Sequence, residues 1–585
     1  MSIRQLQLDA LERALKSSAE ASSPWKVLVY DQFGRDLVST LALGKKTLWR
    51  DHNVTLKMLI DSPRERVGDV TAVYFCLPLD DNLDQIARDV AQGLYDSIHL
   101  HFLSPIARHQ LEKLAKEVAK SNNALSVAKV WDQNLGFVAL ERSLFSLHLP
   151  GSFAGLNSSL AKDEDVVSSL NRFAEGLTNV LTAVEPRPLL LILDRGSDLC
   201  TPLQHSDGYQ ALVDDLLGPL FLNRLLGKDG KTPDFVLDAE IDDFWRQYAG
   251  VPIPDAVTEQ MNAVKEVEDK SRRLGGGGGG SAFPSNEDAT SASVLLEAVS
   301  ALPELTARKK SLETHGNVLR QVFEVVKRRG IHEFPELEAR MARGRNAAKA
   351  EKSNVLKLVG DPSKELQDKL RLAMVYAFAA KISVSELDEL EKVLWGGGGE
   401  GENGDAATKL AEAKQNLAYL RRVLTMLQRS KPSSAAAAAA SSGGGAAASV
   451  LFSAADFAFG QFQEKLQTVA SSVTGSTSWG PAARAVDAVC GGGGSGMGAT
   501  GMAAIDQEID TQYLYFDPKQ GTLPLPPNAT RFKGPFPKCI VFVVGGGCYT
   551  EHRNLAQYAA QRKREVLYGS TEILSPSQFL QQMRE

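Results

Sequence analysis

The feature that most constrains this chain is a break in its periodicity. From about Asp255, through Trp395 and beyond, apolar residues fall at helical spacing, as in Leu312, Leu319, Val322, Phe323 and Val326. Strand signals vanish there and return only near the end, at Cys539–Val544 and Glu565–Leu567. Late strands of this kind need a sheet to join, so they are expected to close one begun before Asp255. The helical stretch is then a long insertion within that domain. Ahead of it stand five consecutive aliphatic residues, Leu189 to Leu193, which read as a strand buried on both faces. Asp194, Arg195 and Asp198 follow, then an amphipathic run in which Tyr209, Leu212, Val213, Leu216 and Leu217 recur at helical spacing.

Earlier still, short apolar runs at Val27–Tyr30, Leu56–Ile60, Val73–Leu77 and Phe137–Leu140 alternate with amphipathic segments such as Asp84–Gln92 and Gln110–Ala119. That rhythm predicts a mainly parallel sheet flanked by helices, and a second α/β unit beginning near Pro150. At 585 residues the chain exceeds what one core can hold. The expected division is an α/β domain over 1–149, a discontinuous α/β domain over 150–254 and 506–585, and a mainly helical domain over 255–505. Four tracts, Gly275–Gly280, Gly396–Gly404, Ala435–Ala448 and Gly491–Gly501, cannot pack a core and are expected to be flexible loops without function, natural or engineered.

Charge and cysteine usage narrow the function. With 65 basic against 71 acidic residues the net charge is −6, which argues against nucleic acid as a partner. Five scattered cysteines show no CxxC and no His at zinc-site spacing, so neither disulfides nor a metal is expected. The start, MSIRQLQLDALERALKSS, is an amphipathic helix with acids, unlike a signal peptide. No apolar run approaches the ~18–20 residues of a membrane span. A cytosolic protein without a cofactor is the expectation.

The strongest enzyme-like signal is VFVVGGGCYTEHR, Val541 to Arg553, since a buried strand, three glycines and a helix start can cradle phosphate. No Lys-Ser or Lys-Thr follows at P-loop spacing, however, and Tyr549 and Glu551 occupy the place of the phosphate. A literal GxGxxG at Gly496–Gly501 lacks a preceding strand, and no GxSxG follows one. Asp194, Arg195 and Asp198 read as a structural ion pair at a strand end, with His205 as polar punctuation. Two binding features stand out instead. Leu111, Leu114, Ala115 and Val118 form a helical stripe whose small Ala115 would leave a shallow apolar pocket at a surface. The segment Arg308–Lys349, expected to be a helical hairpin, carries eleven basic and five acidic residues, which favours an acidic helical partner.

The segment LILDRGSDLCTPLQHSDGYQALVDDLL resembles the second-domain motif of the SM family, cytosolic proteins that bind syntaxins and promote SNARE assembly. WKVLVYDQFGRDLVSTL, RDHNVTLKMLIDSPRERVGDVTAVYF, LPELTARKKSLETH, YFDPK, IVFVVGGGCYTEHRNL and VLYGSTEIL resemble its Sly-like branch, which serves ER–Golgi traffic. The resemblance implies a three-domain arch of two parallel-sheet α/β domains and a helical domain, with no enzyme activity. It implies a pocket for a syntaxin N-terminal peptide at Leu111, Leu114, Ala115 and Val127. It further implies a SNARE-templating hairpin at about 303–349, with a hinge at Pro303 and a basic face including Lys327, Arg328 and Arg329. Gly316 departs from the family by replacing a larger side chain, and Ser206-Asp207-Gly208 by lacking a tryptophan. Implied partners are an ER–Golgi syntaxin, assembling SNARE complexes and tethering factors, met by a monomer recruited peripherally to ER and Golgi membranes. The rival readings are an SM protein of another trafficking branch and a nucleotide-dependent α/β enzyme.

Overall fold

The computed structural model describes residues 2–16, 24–45, 47–158, 160–184, 188–227, 233–274, 290–396, 404–429, 480–490, 513–514, 516 and 536–584. The Gly275–Gly280, Ala435–Ala448 and Gly491–Gly501 tracts, the interior of Gly396–Gly404 and most of YFDPK lie outside them. The chain forms two compact units, Met1–Gln204 with Glu336–Glu585, and His205–Pro335.

Two five-stranded sheets lie in the first unit. One is built from β1 (Lys26–Tyr30), β2 (Val54–Leu59), β3 (Thr71–Cys76), β4 (Ser97–Phe102) and β5 (Val127–Asp132) in the order β2-β1-β3-β4-β5. All its pairings are parallel. Every residue of β3 is buried, as a central strand with helices on both faces requires. The helices Asp80–Gln92 and Arg108–Ala119 cover one face, where Leu83, Ile86, Val90, Leu114 and Val118 join Val27, Tyr74, Ile98 and Leu100 in one core.

The second sheet contains β6 (Val138–Ala139), β7 (Leu144–Ser146), β8 (Leu189–Asp194), β12 (Lys538–Val544) and β13 (Glu565–Ser570), ordered β6-β7-β13-β12-β8. The late strands thus do close a sheet begun much earlier, as the break in periodicity predicts. Two expectations are corrected. Phe137–Leu140 supplies β6 of this sheet, because β6 pairs antiparallel with β7, so the second sheet starts ahead of Pro150. β8 is not buried on both faces: it is an edge strand pairing only with β12 among the described residues, and Ile192 is 54% exposed.

The second unit holds a small antiparallel sheet of β9 (Leu220–Phe221), β10 (Arg224–Leu226) and β11 (Pro233–Val236), ordered β11-β10-β9, which the sequence reading did not anticipate. Its core joins Tyr209, Leu212, Val213 and Trp245 to Leu312, Val318, Leu319 and Val322 of the long helix Thr290–Arg329.

Candidate functional site

Three regions carried expectations, and the geometry treats them differently. The glycine turn after β12 is the first. Gly545 and Gly546 take φ of 93° and 96°, conformations that disfavour a side chain. Their amides both donate to Thr571 Oγ1, at 3.2 and 3.0 Å. Gly547 donates to the Glu572 carbonyl at 2.8 Å, and Cys548 to the Tyr568 hydroxyl at 3.2 Å. With all four donors engaged inside the protein, none is left for a phosphate. This geometry does not support the nucleotide reading.

Arg195 lies under the same turn, buried to 1% exposure. Its expected partners, Asp194 and Asp198, are replaced by a residue distant in sequence. Nη2 donates to both carboxylate oxygens of Glu551 at 2.7 Å, Nε donates to the Gly546 carbonyl at 2.9 Å, and Nη1 to the Asp198 carbonyl at 2.7 Å. Burial works against the Arg195 charge, but Glu551 and Asp198 hold the guanidinium protonated. The Asp198 carboxylate instead closes its own loop, accepting from the Cys200 and Thr201 amides, both at 3.0 Å. Arg371 of the helix Leu366–Ala380 fastens that loop further on, donating to the Leu203 and Gln204 carbonyls at 2.8 and 3.0 Å. The two conspicuous motifs are therefore one brace at the carboxyl end of the second sheet.

At the edge of the first sheet the polar accounting is replaced by exposed apolar surface. The stripe on Arg108–Ala119 splits in two: Leu114 (4% exposed) and Val118 (8%) join the core, while Leu111 (38%) and Ala115 face solvent. Val127, half-buried at the start of β5, packs against the same core. Leu114 and Val127 thus meet one core, while Leu111 and Ala115 lie exposed on the same helix as Leu114. The structure adds Val130. Val127 pairs with Ile98, then the register shifts, so that Lys129 pairs with His99 and Val130 with Leu100. Ala128 is the extra residue. Because in-register neighbours share a face, this bulge puts Val127 and Val130 on the same side, that of Leu100 and the helix. In a regular strand, positions three apart would point to opposite faces. Val130 is 41% exposed and Leu125, just before the strand, is 98% exposed.

The third region is the basic segment. The expected hairpin over about 303–349 is a different pair of helices: Ile253–Leu274 packs against Thr290–Arg329, and the chain after Gly330 forms the short helices Phe334–Met341 and Arg345–Ala350. Pro303 lies inside the long helix, which runs through it without a break. Gly316 explains the close approach, since a Cβ there would stand 3.0 Å from Gln260 Nε2, which donates to the Leu312 carbonyl at 3.1 Å. A larger residue would displace the Gln260 amide and its bond to the Leu312 carbonyl. His315 sets the rotation of the long helix: Nδ1 is 3.0 Å from the Tyr209 hydroxyl, Nε2 is 3.1 Å from Asp242 Oδ1, and its ring stacks on Trp245. Burial pushes the Asp242 carboxyl up, yet contacts from His315, Ser311 and the Trp245 amide outweigh it and hold the carboxyl below its ordinary value. With that rotation fixed, Lys327 and Arg328 are exposed and Arg329 is half-buried. Phe323, whose spacing suggested core, is 59% exposed between Arg320 and Lys327. Only the neighbouring bases on its helical face distinguish it from its buried neighbour Val322.

The Sec1 family profile matches residues 26–185 and 183–582. SEC1 family transport protein SLY1 of Oryza sativa subsp. japonica is 30% identical over 100% of this chain and 97% of its own length. Sec1 family domain-containing protein 1 of Rattus norvegicus is 28% identical over 100% of this chain and 98% of its own. The solved structure of Sly1p in complex with an N-terminal peptide of Sed5p shares the fold, with a TM-score of 0.71 at 22% identity, covering 100% of this chain and 98% of that one.

Proposed function

The chain belongs to the Sec1 family, and from that premise we propose that it binds the N-terminal peptide of an ER–Golgi syntaxin and promotes SNARE assembly. The observation that carries this reading is the apolar strip of Leu111, Leu114, Ala115 and Val127 at the open edge of the first sheet. A Sly1p structure holds an N-terminal peptide of Sed5p, and this chain shares that fold. An exposed Leu and Ala beside a buried Leu and a half-buried Val suit one bulky apolar side chain of a peptide, with Ala115 leaving it room. The mechanism is binding alone. Tethering the syntaxin by its peptide raises its effective concentration beside the protein. The exposed bases of Thr290–Arg329, with Phe323 among them, would then hold an acidic SNARE helix and lower the cost of ordering its first turns. Pro303 stays the proposed hinge of this helix, and the three-domain division stays the proposed organisation, with indirect recruitment to ER and Golgi membranes through SNAREs and tethering factors. No described helix is long and apolar enough to cross a membrane.

Isothermal calorimetry with an ER–Golgi syntaxin N-peptide tests the first step. Leu111→Glu should weaken binding at least about tenfold while leaving thermal unfolding near wild type, since Leu111 is exposed. Absence of wild-type binding sinks the proposal, and binding only to an endosomal or plasma-membrane syntaxin peptide moves the protein to another branch. For the second step, Lys327→Glu with Arg328→Glu should slow SNARE assembly in a reconstituted reaction without changing peptide affinity. Unchanged assembly rates would count against the template role.

A further inference from the structure

The helices Val384–Gly396 and Gly404–Arg429 pack together, and Arg421 ties them by reaching Asp388 at 2.7 Å and Glu391 at 2.8 Å. Beside this tie opens a cleft of about 600 Å³. Its volume is in the range of sites that accept a few large side chains, roughly 300–1,000 Å³. Leu417, 4% exposed, Trp395 and Met426, 48% exposed, are its apolar lining. Ala418, one helical turn from Lys414 and from Arg422, keeps the middle of the cleft open.

Three bases, Lys414, Arg421 and Arg422, and one acid, Glu391, line the cleft, and Arg421 is shared between Glu391 and Asp388. Lys414 and Arg422 are exposed, and neither is ion-paired with a described residue; the Arg422 guanidinium stands 5.3 Å over the Tyr419 ring. Tryptophan and methionine in an open groove are adaptable apolar contacts, and arginine held over an aromatic ring is pre-oriented for a carboxylate. We propose that this cleft docks an acidic amphipathic helix of a partner protein. A bulky apolar residue of that helix lies between Trp395 and Met426, and its flanking carboxylates meet Lys414 and Arg422. The surface uses no residue of the peptide strip or of the basic helix, so it stands or falls separately from both.

The test is fluorescence anisotropy with the full chain and a fluorescein-labelled 18-residue helical peptide that has a leucine face flanked by glutamates. Its counterpart carries lysine at each glutamate. The glutamate peptide should bind at least about tenfold tighter than the lysine peptide, and more weakly as salt is raised. Lys414→Glu with Arg422→Glu should reverse that preference, and Ala418→Trp should fill the cleft and abolish binding. These positions are exposed, so circular dichroism should show an intact fold. In a chain that already carries Lys327→Glu and Arg328→Glu, so that the basic helix cannot take the peptide, the preference for the glutamate peptide should persist. No binding of the glutamate peptide, equal binding of both peptides, or a loss that follows Lys327 and Arg328 instead would overturn the proposal.

Discussion

At the carboxyl end of the second sheet the polar groups of the two motifs are answered from inside the protein: the glycine amides by Thr571 and Glu572, Arg195 by Glu551, Asp198 by its own loop. At the edge of the first sheet, Leu111, Val130 and Leu125 are left facing water. The first region has the residues that attract attention in a sequence, charges and glycines after a strand, and it does structural work. The second is an ordinary helical stripe, and it is where apolar surface is left uncovered. Polar groups at a strand end signal chemistry only when some of their hydrogen-bonding capacity remains free. Apolar groups signal binding when the core they belong to leaves them uncovered.

The comparison is most exposed at Arg195. Arg195→Ala leaves the Glu551 carboxylate buried without its cation, which should cost about 3–5 kcal/mol and lower the melting temperature sharply. A variant that melts like wild type would show that the brace is decorative. Gly546→Ala should act in the same direction with less force. It places a side chain at φ 96° and a Cβ 2.4 Å from Leu574 Cδ1, so about 1–3 kcal/mol is expected in a denaturant titration. Should both variants fold normally yet lose a nucleotide-dependent activity, the roles of the two regions would have to be exchanged.

Much of this was legible in the sequence, and the gaps have physical causes. Strand and helix alternation, the return of strands after a helical insertion, and the stripe at Leu111 are local periodicities, so they can be read from neighbouring residues. Arg195 and Glu551 are 356 residues apart, and no local pattern links them. β8 was read as doubly buried because five aliphatic residues suit a central strand, but strand order, which local composition does not encode, made it an edge. Charge spacing places the partner of the basic helix after it, at Arg340 and beyond, whereas the preceding helix packs against it at Gly316 and Gln260. Arg340 itself is occupied by Glu336 and Glu351, each at 2.9 Å. Spacing puts Phe323 with the core, since periodicity alone resolves a helix face only to about one residue.

The mildest prediction for the fold is the sharpest for the comparison. Val130 and Trp131 are adjacent on β5 and similarly exposed, at 41% and 46%. Register separates them: Val130 pairs with Leu100 on the face of the Arg108–Ala119 helix, and Trp131 pairs with His101 on the other. Val130→Lys should therefore weaken the syntaxin peptide about tenfold, while Trp131→Lys should leave its affinity unchanged in the same calorimetric titration. Both positions are near the surface, so stability should move by no more than about 0.5 kcal/mol. Ala128 is the strand's extra residue. Deleting it would leave Val127 and Val130 two residues apart in a regular strand, so Val130 should stay on the face of Leu100 and peptide binding should survive the deletion. Equal losses from Val130→Lys and Trp131→Lys would mean that the peptide reads the strand's backbone edge, and the apolar strip would lose its claim to be the binding surface.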